Sequence, residues 1–541
     1  MTVLVRKIML AFALGALSSV AACNGCHPKE TVVPSADEKP TLRLFLVSDL
    51  AGALEPCGCV KDQLGGMDHF GALVRGEEAK VPSYATVSAG PLFFMDPDLD
   101  AQKRGQDLAK AETIADALAT VKLVAFAPAR NEWAGGVTTL DTLRKKSGAE
   151  LLFANGQGNA ATIGRTATVV KDVGGVKLGF LGVATPSKAK EGKPLAEVAD
   201  GPLQAAVAAG LADLEKQGAQ ATVVLASVGR GEAKRLADAF PKLLAILVGS
   251  PGGAGEANTQ APPAEQVGQV LIVETGNHLQ TVGVLDLHVR DKSFVFSDGT
   301  GLEITRKREA LAARIDELRK KIASWETDPQ VAKADVDARR AEMQKLEAER
   351  AALDKSPPPD KGSFYRFALR EVRTSLGTDA AMTAKLGGYY KRVNDENKTA
   401  FADRKPPEPA KGEPTYVGVD ACSTCHDEPR KVWDATAHGH AYKTLSDQFK
   451  EFNLDCVSCH VTGYEKPGGS TVTFVKNLKD VQCETCHGPG SKHMKSPEKV
   501  AVPIPKPQPD ACLQCHHAPH VHEFDAAAKM KLILGKGHEK K

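Results

Sequence analysis

Cys456-Val457-Ser458-Cys459-His460 sets two thiols three positions apart and an imidazole directly after the second. The spacing has a chemical reason. Two such thiols add to the two vinyl groups of one haem, and the adjoining histidine reaches the iron as its proximal ligand. The same word recurs as Cys422-Ser423-Thr424-Cys425-His426, Cys483-Glu484-Thr485-Cys486-His487 and Cys512-Leu513-Gln514-Cys515-His516. Paired zinc knuckles also use C-x-x-C, but zinc does not require a histidine after every second cysteine, and all four words have one. No cysteine lies between Cys59 and Cys422, so disulfide stapling across the chain is not expected.

Histidine usage follows the cysteines. Eleven of the fifteen histidines fall between Pro414 and Lys541. His426, His460, His487 and His516 are the proximal candidates, which leaves His438, His440, His493, His517, His520, His522 and His538. Four irons need at most four sixth ligands, so bis-histidine ligation is open to every haem. The porphyrins then replace a large side-chain core over residues 415–541, expected to be a mainly α, haem-packed tetrahaem domain.

The N-terminus reads as an export signal. Arg6 and Lys7 precede an apolar run from Ile8 to Leu17, too short to span a bilayer, and small residues follow. Val20-Ala21-Ala22-Cys23 resembles a lipobox, which makes 1–22 a lipoprotein-type signal peptide, Cys23 the lipidated residue and 23–40 a tether. Cys23-Asn24-Gly25-Cys26-His27 also spells the attachment word. A lipidated Cys23 has no thiol left for a thioether, so a fifth haem is the alternative to the anchor. The expected location is the periplasmic side of a bacterial envelope.

Lys+Arg 69 against Asp+Glu 67 leaves a formal +2 over 541 residues, which gives no basic field for nucleic acid. Residues 41–300 alternate strand-like runs (Leu42–Leu50, Leu178–Val183, Ala221–Ser227, Val270–Glu274) with helical stretches (Pro202–Gln217, Glu232–Ala239), the pattern of an α/β layered domain. From Ile304 the apolar spacing becomes that of a coiled coil, broken at Asp328-Pro329. This predicts an antiparallel helical hairpin over 301–355, a spacer or a dimerising stalk. Residues 356–414 read as proline-rich linkers around a helical piece, Tyr365–Val393.

The C-terminal words Tyr416-Val417-Gly418, Trp433 with His438-Gly439-His440-Ala441, Cys459-His460-Val461-Thr462-Gly463-Tyr464 and Val481-Gln482-Cys483 through His487-Gly488-Pro489-Gly490 resemble the tetrahaem cytochrome c-552/c-554 family. The resemblance implies stacked haems passing single electrons. It carries distal iron roles to His438 or His440, to His493 and to His538. Some family members keep one five-coordinate haem.

Residues 41–300 are similar to the metallophosphoesterase domain of 5′-nucleotidases at Ser48-Asp49-Leu50-Ala51-Gly52, Gly65-Gly66, Asn131-Glu132, Asn155 and Ala221–Gly229. That family clamps phosphate between two metals, and its ligands are largely missing here. Ala51 replaces a histidine, Pro91 an aspartate after Gly90, Ser227 a histidine, and Gly249-Ser250-Pro251-Gly252 the final histidine pair. The expectation is a scaffold without phosphoesterase activity. Cys57-Gly58-Cys59, near His69, reads as a redox pair, a soft-metal site or a structural bridge.

Three functions follow. The leading one is an exported carrier passing electrons through four covalent haems to periplasmic or membrane redox partners. The second is an oxidoreductase acting on a small nitrogen or sulfur compound at an open haem or at Cys57/Cys59. The last is an active phosphoesterase with a cytochrome appendage.

Overall fold

The computed structural model describes residues 38–57, 63–158, 165–188, 198–252, 255, 257–327, 331–353, 361–517, 521 and 524–538. The expected signal peptide, Cys23, Cys26, His27, Cys59, His520 and His522 lie outside the described residues. So do the break at Asp328-Pro329 and the triple proline at Pro357. Cys57 is described in its backbone, at the end of the short strand Pro56–Cys57.

Two sheets pack face to face. The first is built from β1 (Leu42–Ser48), β2 (Tyr84–Ala89), β3 (Leu123–Ala127) and β4 (Glu150–Leu151), and the second from β5 (Thr168–Val173), β6 (Val176–Ala184), β7 (Ala221–Ser227), β8 (Ala245–Gly249), β9 (Glu265–Val267) and β10 (Val270–Val273). The chain then returns to the first sheet with β11 (Thr281–His288), β12 (Phe296–Asp298) and β13 (Ser363–Glu371). The strand orders are β12-β13-β11-β1-β2-β3-β4 and β9-β10-β8-β7-β6-β5. β1, β2 and β3 are parallel, as are β6, β7, β8 and β10; a helix lies in each crossover except that from β8 to β10, which passes through β9.

Alternation along β1 sorts the layers. Leu42, Leu44 and Leu46 point between the sheets with Leu178, Phe180, Leu225 and Leu247. Phe45 and Val47 point outward, into a core shared with α1 (Met67–Glu78), α2 (Arg104–Thr120) and α3 (Val137–Ser147). On the far side, α4 (Leu203–Lys216) and α5 (Arg230–Ala239) cover the second sheet through Val207, Leu214, Ala233 and Leu236. Both faces of each sheet are buried, as parallel strands require. The result is an α/β/β/α sandwich.

The helical piece expected over Tyr365–Val393 is divided, and its first part is corrected. Ser363–Glu371 forms β13, hydrogen-bonded between β11 and β12. Phe364, Tyr365 and Phe367 are buried there, and the ladder to β11 overrides the helix propensity of the segment. The helix begins later, as α8 (Ala380–Ala400), where the Asp379 carboxylate caps the Met382 N–H. Met382, Leu386, Tyr389 and Val393 of α8 join the outer core of the first sheet. Residues 363–400 are therefore part of the α/β unit, not a linker, and that unit does not end at 300.

The expected hairpin is present as α6 (Leu302–Glu326) and α7 (Lys333–Leu353). It interrupts the first sheet between β12 and β13. Ile315, Leu318, Ile322 and Val336 bury its seam, while Arg314–Glu342 and Arg340–Glu326 pair across it. The strands it joins are already tied without it, since Gly299 N–H donates to the Tyr365 carbonyl at 2.8 Å. Replacing 301–360 by a short glycine-serine loop is therefore expected to leave the thermal midpoint of the sandwich within a few degrees. A chain that no longer folds by circular dichroism would contradict a self-contained hairpin.

Beyond α8 the helices become short, none among the described residues exceeding the eight residues of Asp427–Asp434. The largest apolar cluster in this part is Tyr442, Leu454, Val457, Val461, Val472 and Val475. Among the described residues no helix is long and apolar enough to cross a membrane.

Candidate haem-binding site

Each attachment word lies in a short helix or at its end. Val419–Ser423, Val457–His460 and Cys483–His487 are α-helical, and Pro509–Gln514 is 3-10. One turn puts cysteines three apart on the same face. None of the eight cysteines of the four words is in a disulfide. The words also meet in space. The Cys422 and Cys483 thiols lie within hydrogen-bonding reach, as do those of Cys459 and Cys515. The first word is therefore beside the third, and the second beside the fourth.

Backbone chemistry fixes these neighbours. The Glu484 carboxylate, buried inside the third word, accepts N–H bonds from Val417 (3.0 Å), Gly418 (2.8 Å) and Gly490 (2.7 Å). Gln482 accepts from Val419 N–H and donates to the carbonyls of Asn477 and Lys479. Gly418 holds φ at 86°, where a side chain would meet Asn477. Trp433 Nε1 donates to the Val481 carbonyl at 2.8 Å. The residues flanking the first and third words thus form one hydrogen-bonded unit.

The histidines pair across gaps. His426 faces His493 with ring centroids 6.2 Å apart, His438 faces His516 at 6.2 Å, and His487 faces His538 at 6.4 Å. Rings in direct stacking lie much closer in the same chain, at 4.4 Å for His516 and Phe524. The extra space suits one metal ion with nitrogen bonds of about 2 Å on each side. Each pair joins a histidine of an attachment word to one outside it, as a six-coordinate haem iron demands. The residues therefore fit the group.

Tautomers agree with this use. His460, His487 and His493 direct Nδ1 at the carbonyls of Ala441 (2.6 Å), Ile504 (3.0 Å) and Val500 (2.6 Å). A carbonyl only accepts, so Nδ1 carries the proton and Nε2 keeps its lone pair for a metal. Burial, then the facing His516, holds His438 below its usual value, and burial and His487 do the same for His538. Neutral imidazole is the ligating form. Between His438 and His440, the geometry selects His438 for the His516 pair. His440 and His460 both lie near Asp480, and His460 belongs to none of the three pairs.

The cleft of the sandwich is used up internally. The Asp49 carboxylate accepts from Ser250 N–H at 2.9 Å, and a Cβ on Gly90 would stand 1.8 Å from it. Glu132 accepts from Leu92 and Ala129 N–H, both at 2.7 Å. Asn131 donates to the carbonyls of Phe94 and Met95. Asn155 bonds both backbone groups of Ala184 and donates to the Gly201 carbonyl. Ser227 accepts from Gly90 N–H and donates to the Ala127 carbonyl. These side chains hold the backbone of the cleft together. Among the described residues no group of three or more His, Cys, Asp or Glu side chains could hold a metal ion. His69 is bonded through Nδ1 to the Gly377 carbonyl at 2.6 Å.

Residues 421–488 match the family described as cytochrome c554 and c-prime. They form a cytochrome c554-family domain. Cytochrome c-554 of Nitrosomonas europaea is 36% identical over 91 residues, a match covering 14% of this chain and 39% of that protein. The chain thus spans well under half of that relative. Among solved structures, the chain is similar to a 5′-nucleotidase precursor from Thermus thermophilus (16% identity, 68% of this chain and 61% of that one, TM-score 0.43). It is also similar to the sulfate thiohydrolase SoxB of Thermus thermophilus (15%, 46% and 54%, TM-score 0.38). A third is the calcineurin-like phosphoesterase YfkN of Bacillus subtilis (16%, 47% and 86%, TM-score 0.38).

Burial pushes Glu132 up from 4.5 to about 7 despite its amide donors. The unfolded chain then loses this proton at lower pH than the folded one. Stability from this group is full below about pH 4.5 and falls as the pH rises through about 7. Glu132→Gln is expected to flatten that decline, read as urea midpoints at about pH 5 and about pH 8. An unchanged slope would place the ionisation elsewhere.

Proposed function

We propose that this chain is an exported electron carrier whose C-terminal domain holds four covalent c-type haems. They attach at Cys422/Cys425, Cys456/Cys459, Cys483/Cys486 and Cys512/Cys515, with His426, His460, His487 and His516 as proximal ligands. The observation that supports this best is the set of three facing histidine pairs. Each sets a proximal imidazole opposite a second one at a metal-sized gap, which gives His493, His438 and His538 the distal positions on the first, fourth and third haems. Two imidazoles would hold such a group from opposite sides without either side chain having to move, which suits electron transfer. When bound, the haems supply one-electron oxidation and reduction.

The chain's own residues supply attachment, tautomer and orientation. Adjacency of the first word to the third, and of the second to the fourth, supports a relay of closely spaced centres. Export agrees with the signal at 1–22, and an acylated Cys23 would hold the carrier at the periplasmic membrane face, where redox proteins of the envelope are its partners. The sandwich, with its cleft filled by its own hydrogen bonds, serves the cytochrome part as a platform rather than as a phosphoesterase.

Matured protein is expected to give four haems per chain by pyridine haemochrome, and a value near zero would end the proposal. His493→Ala should open one iron. The reduced variant would then gain about one haem equivalent of carbon monoxide response over the parent. No gain would remove His493 from the iron. A parent that already binds carbon monoxide at one haem would favour the oxidoreductase reading, with His460 as the first iron to examine.

A further inference from the structure

The second attachment word is locked to the sandwich. Its neighbour Asp455 reaches across to α2, where Lys110 Nζ lies 2.8 Å and Lys103 Nζ 2.9 Å from the carboxylate. Gln106, buried between them, donates to Asp455 at 3.0 Å and accepts from Leu454 N–H at 3.0 Å. Asn397 of α8 donates to Gln106 at 3.0 Å and to the Phe452 carbonyl at 2.9 Å. On the other flank, Lys450 sits over the Tyr390 ring and pairs with Glu55 at 2.7 Å. Residues 450–455 are thus gripped by α2, α8 and the loop after β1.

The grip brings charge to Cys456. Burial opposes ionisation of Asp455, yet Lys110 and Lys103 hold its carboxyl well below the usual range. Tyr389 of α8 lies among Lys110, Asp455 and Cys456, and its hydroxyl is buried without a hydrogen-bond partner. A sealed, unpartnered hydroxyl beside a haem-attachment sulfur is a polar group waiting for a neighbour.

We propose that the α/β sandwich forms one wall of the second haem's site, with Lys110, Lys103 and Asp455 setting that haem's reduction potential and Tyr389 lying against the group. This rests on the haem assigned above to Cys456, Cys459 and His460. Reduction adds one negative charge at the iron. A cation nearby favours the reduced form and an anion the oxidised form, and the half-buried setting of Lys110, Lys103 and Asp455 leaves part of that effect unscreened by salt. The three charged residues are positioning residues, since they act through the field and touch neither iron nor substrate.

The test is a spectroelectrochemical titration of the full-length, matured protein and its variants. Lys110→Met is expected to move one of the four waves to lower potential and Asp455→Asn to move the same wave to higher potential, the other three shifting less. Lys103→Met should act as Lys110→Met does, while Lys110→Arg, which keeps the charge, should leave the wave in place, and that contrast keeps the test alive if Asp455→Asn fails to mature. Tyr389→Phe should perturb the same wave with the haem count unchanged. Opposite signs at one wave are what a field produces. General loosening of the interface would move all variants the same way, and that result, or four unmoved waves, would overturn the proposal. A parent protein without four haems would instead undo the reading on which it rests, and the haemochrome count separates the two failures.

Discussion

A polypeptide segment with almost no side-chain core must be held by something else, and that constraint governs the C-terminal part of this chain. Six buried residues around Val457 cannot offset the conformational entropy of more than a hundred others. Helices of eight residues or fewer add little stability of their own. Order therefore comes from two external sources. One is the set of groups that would bridge the facing histidines. The other is the sandwich, whose helices α2 and α8 present a polar surface matched to residues 450–455.

That second source changes the meaning of the α/β part. In its cleft Asp49, Asn131 and Glu132 bond to backbone amides and carbonyls. The outer face, by contrast, is well employed. The interface with the cytochrome part is made of Gln106, Asn397, Asn394 and the lysines of α2, nearly all of whose polar atoms meet a partner across it. Satisfied polar networks of this kind specify a unique arrangement rather than a sticky one. Within one chain, a docking face is kept in good order while the chemical pocket is closed by its own backbone.

Much of this was legible in the sequence. Strands such as Ala221–Ser227 announce themselves as short apolar runs between turns, and the heptad spacing from Leu311 to Ile322 is that of a helical seam. The attachment words are legible because covalent chemistry fixes their spacing. What stayed hidden depends on distance along the chain. β13 mixes strand-favouring aromatics with helix-forming Ala368, Leu369 and Glu371, and its place between β11 and β12 decides for the strand. The choice of His438 over His440 turns on the direction each side chain takes from one 3-10 turn. The bond between Lys110 and Asp455 joins residues 345 positions apart, and neither has a local pattern that predicts the other.

The hairpin set between β12 and β13 also bears on how the first sheet is completed. β13 must find β11 across a connection of about 75 residues, and each doubling of such a loop costs about 0.6 kcal/mol in chain entropy. α6 and α7 form from local contacts, and once antiparallel they return the chain close to where it left. The remaining flexible length is then about 20 residues, which lowers the closure cost by about 1 kcal/mol. The coiled hairpin is in this sense a splint that brings the last strand to its partner early, so that α8 and the face that grips Asp455 stand ready when the haem-bearing segment arrives.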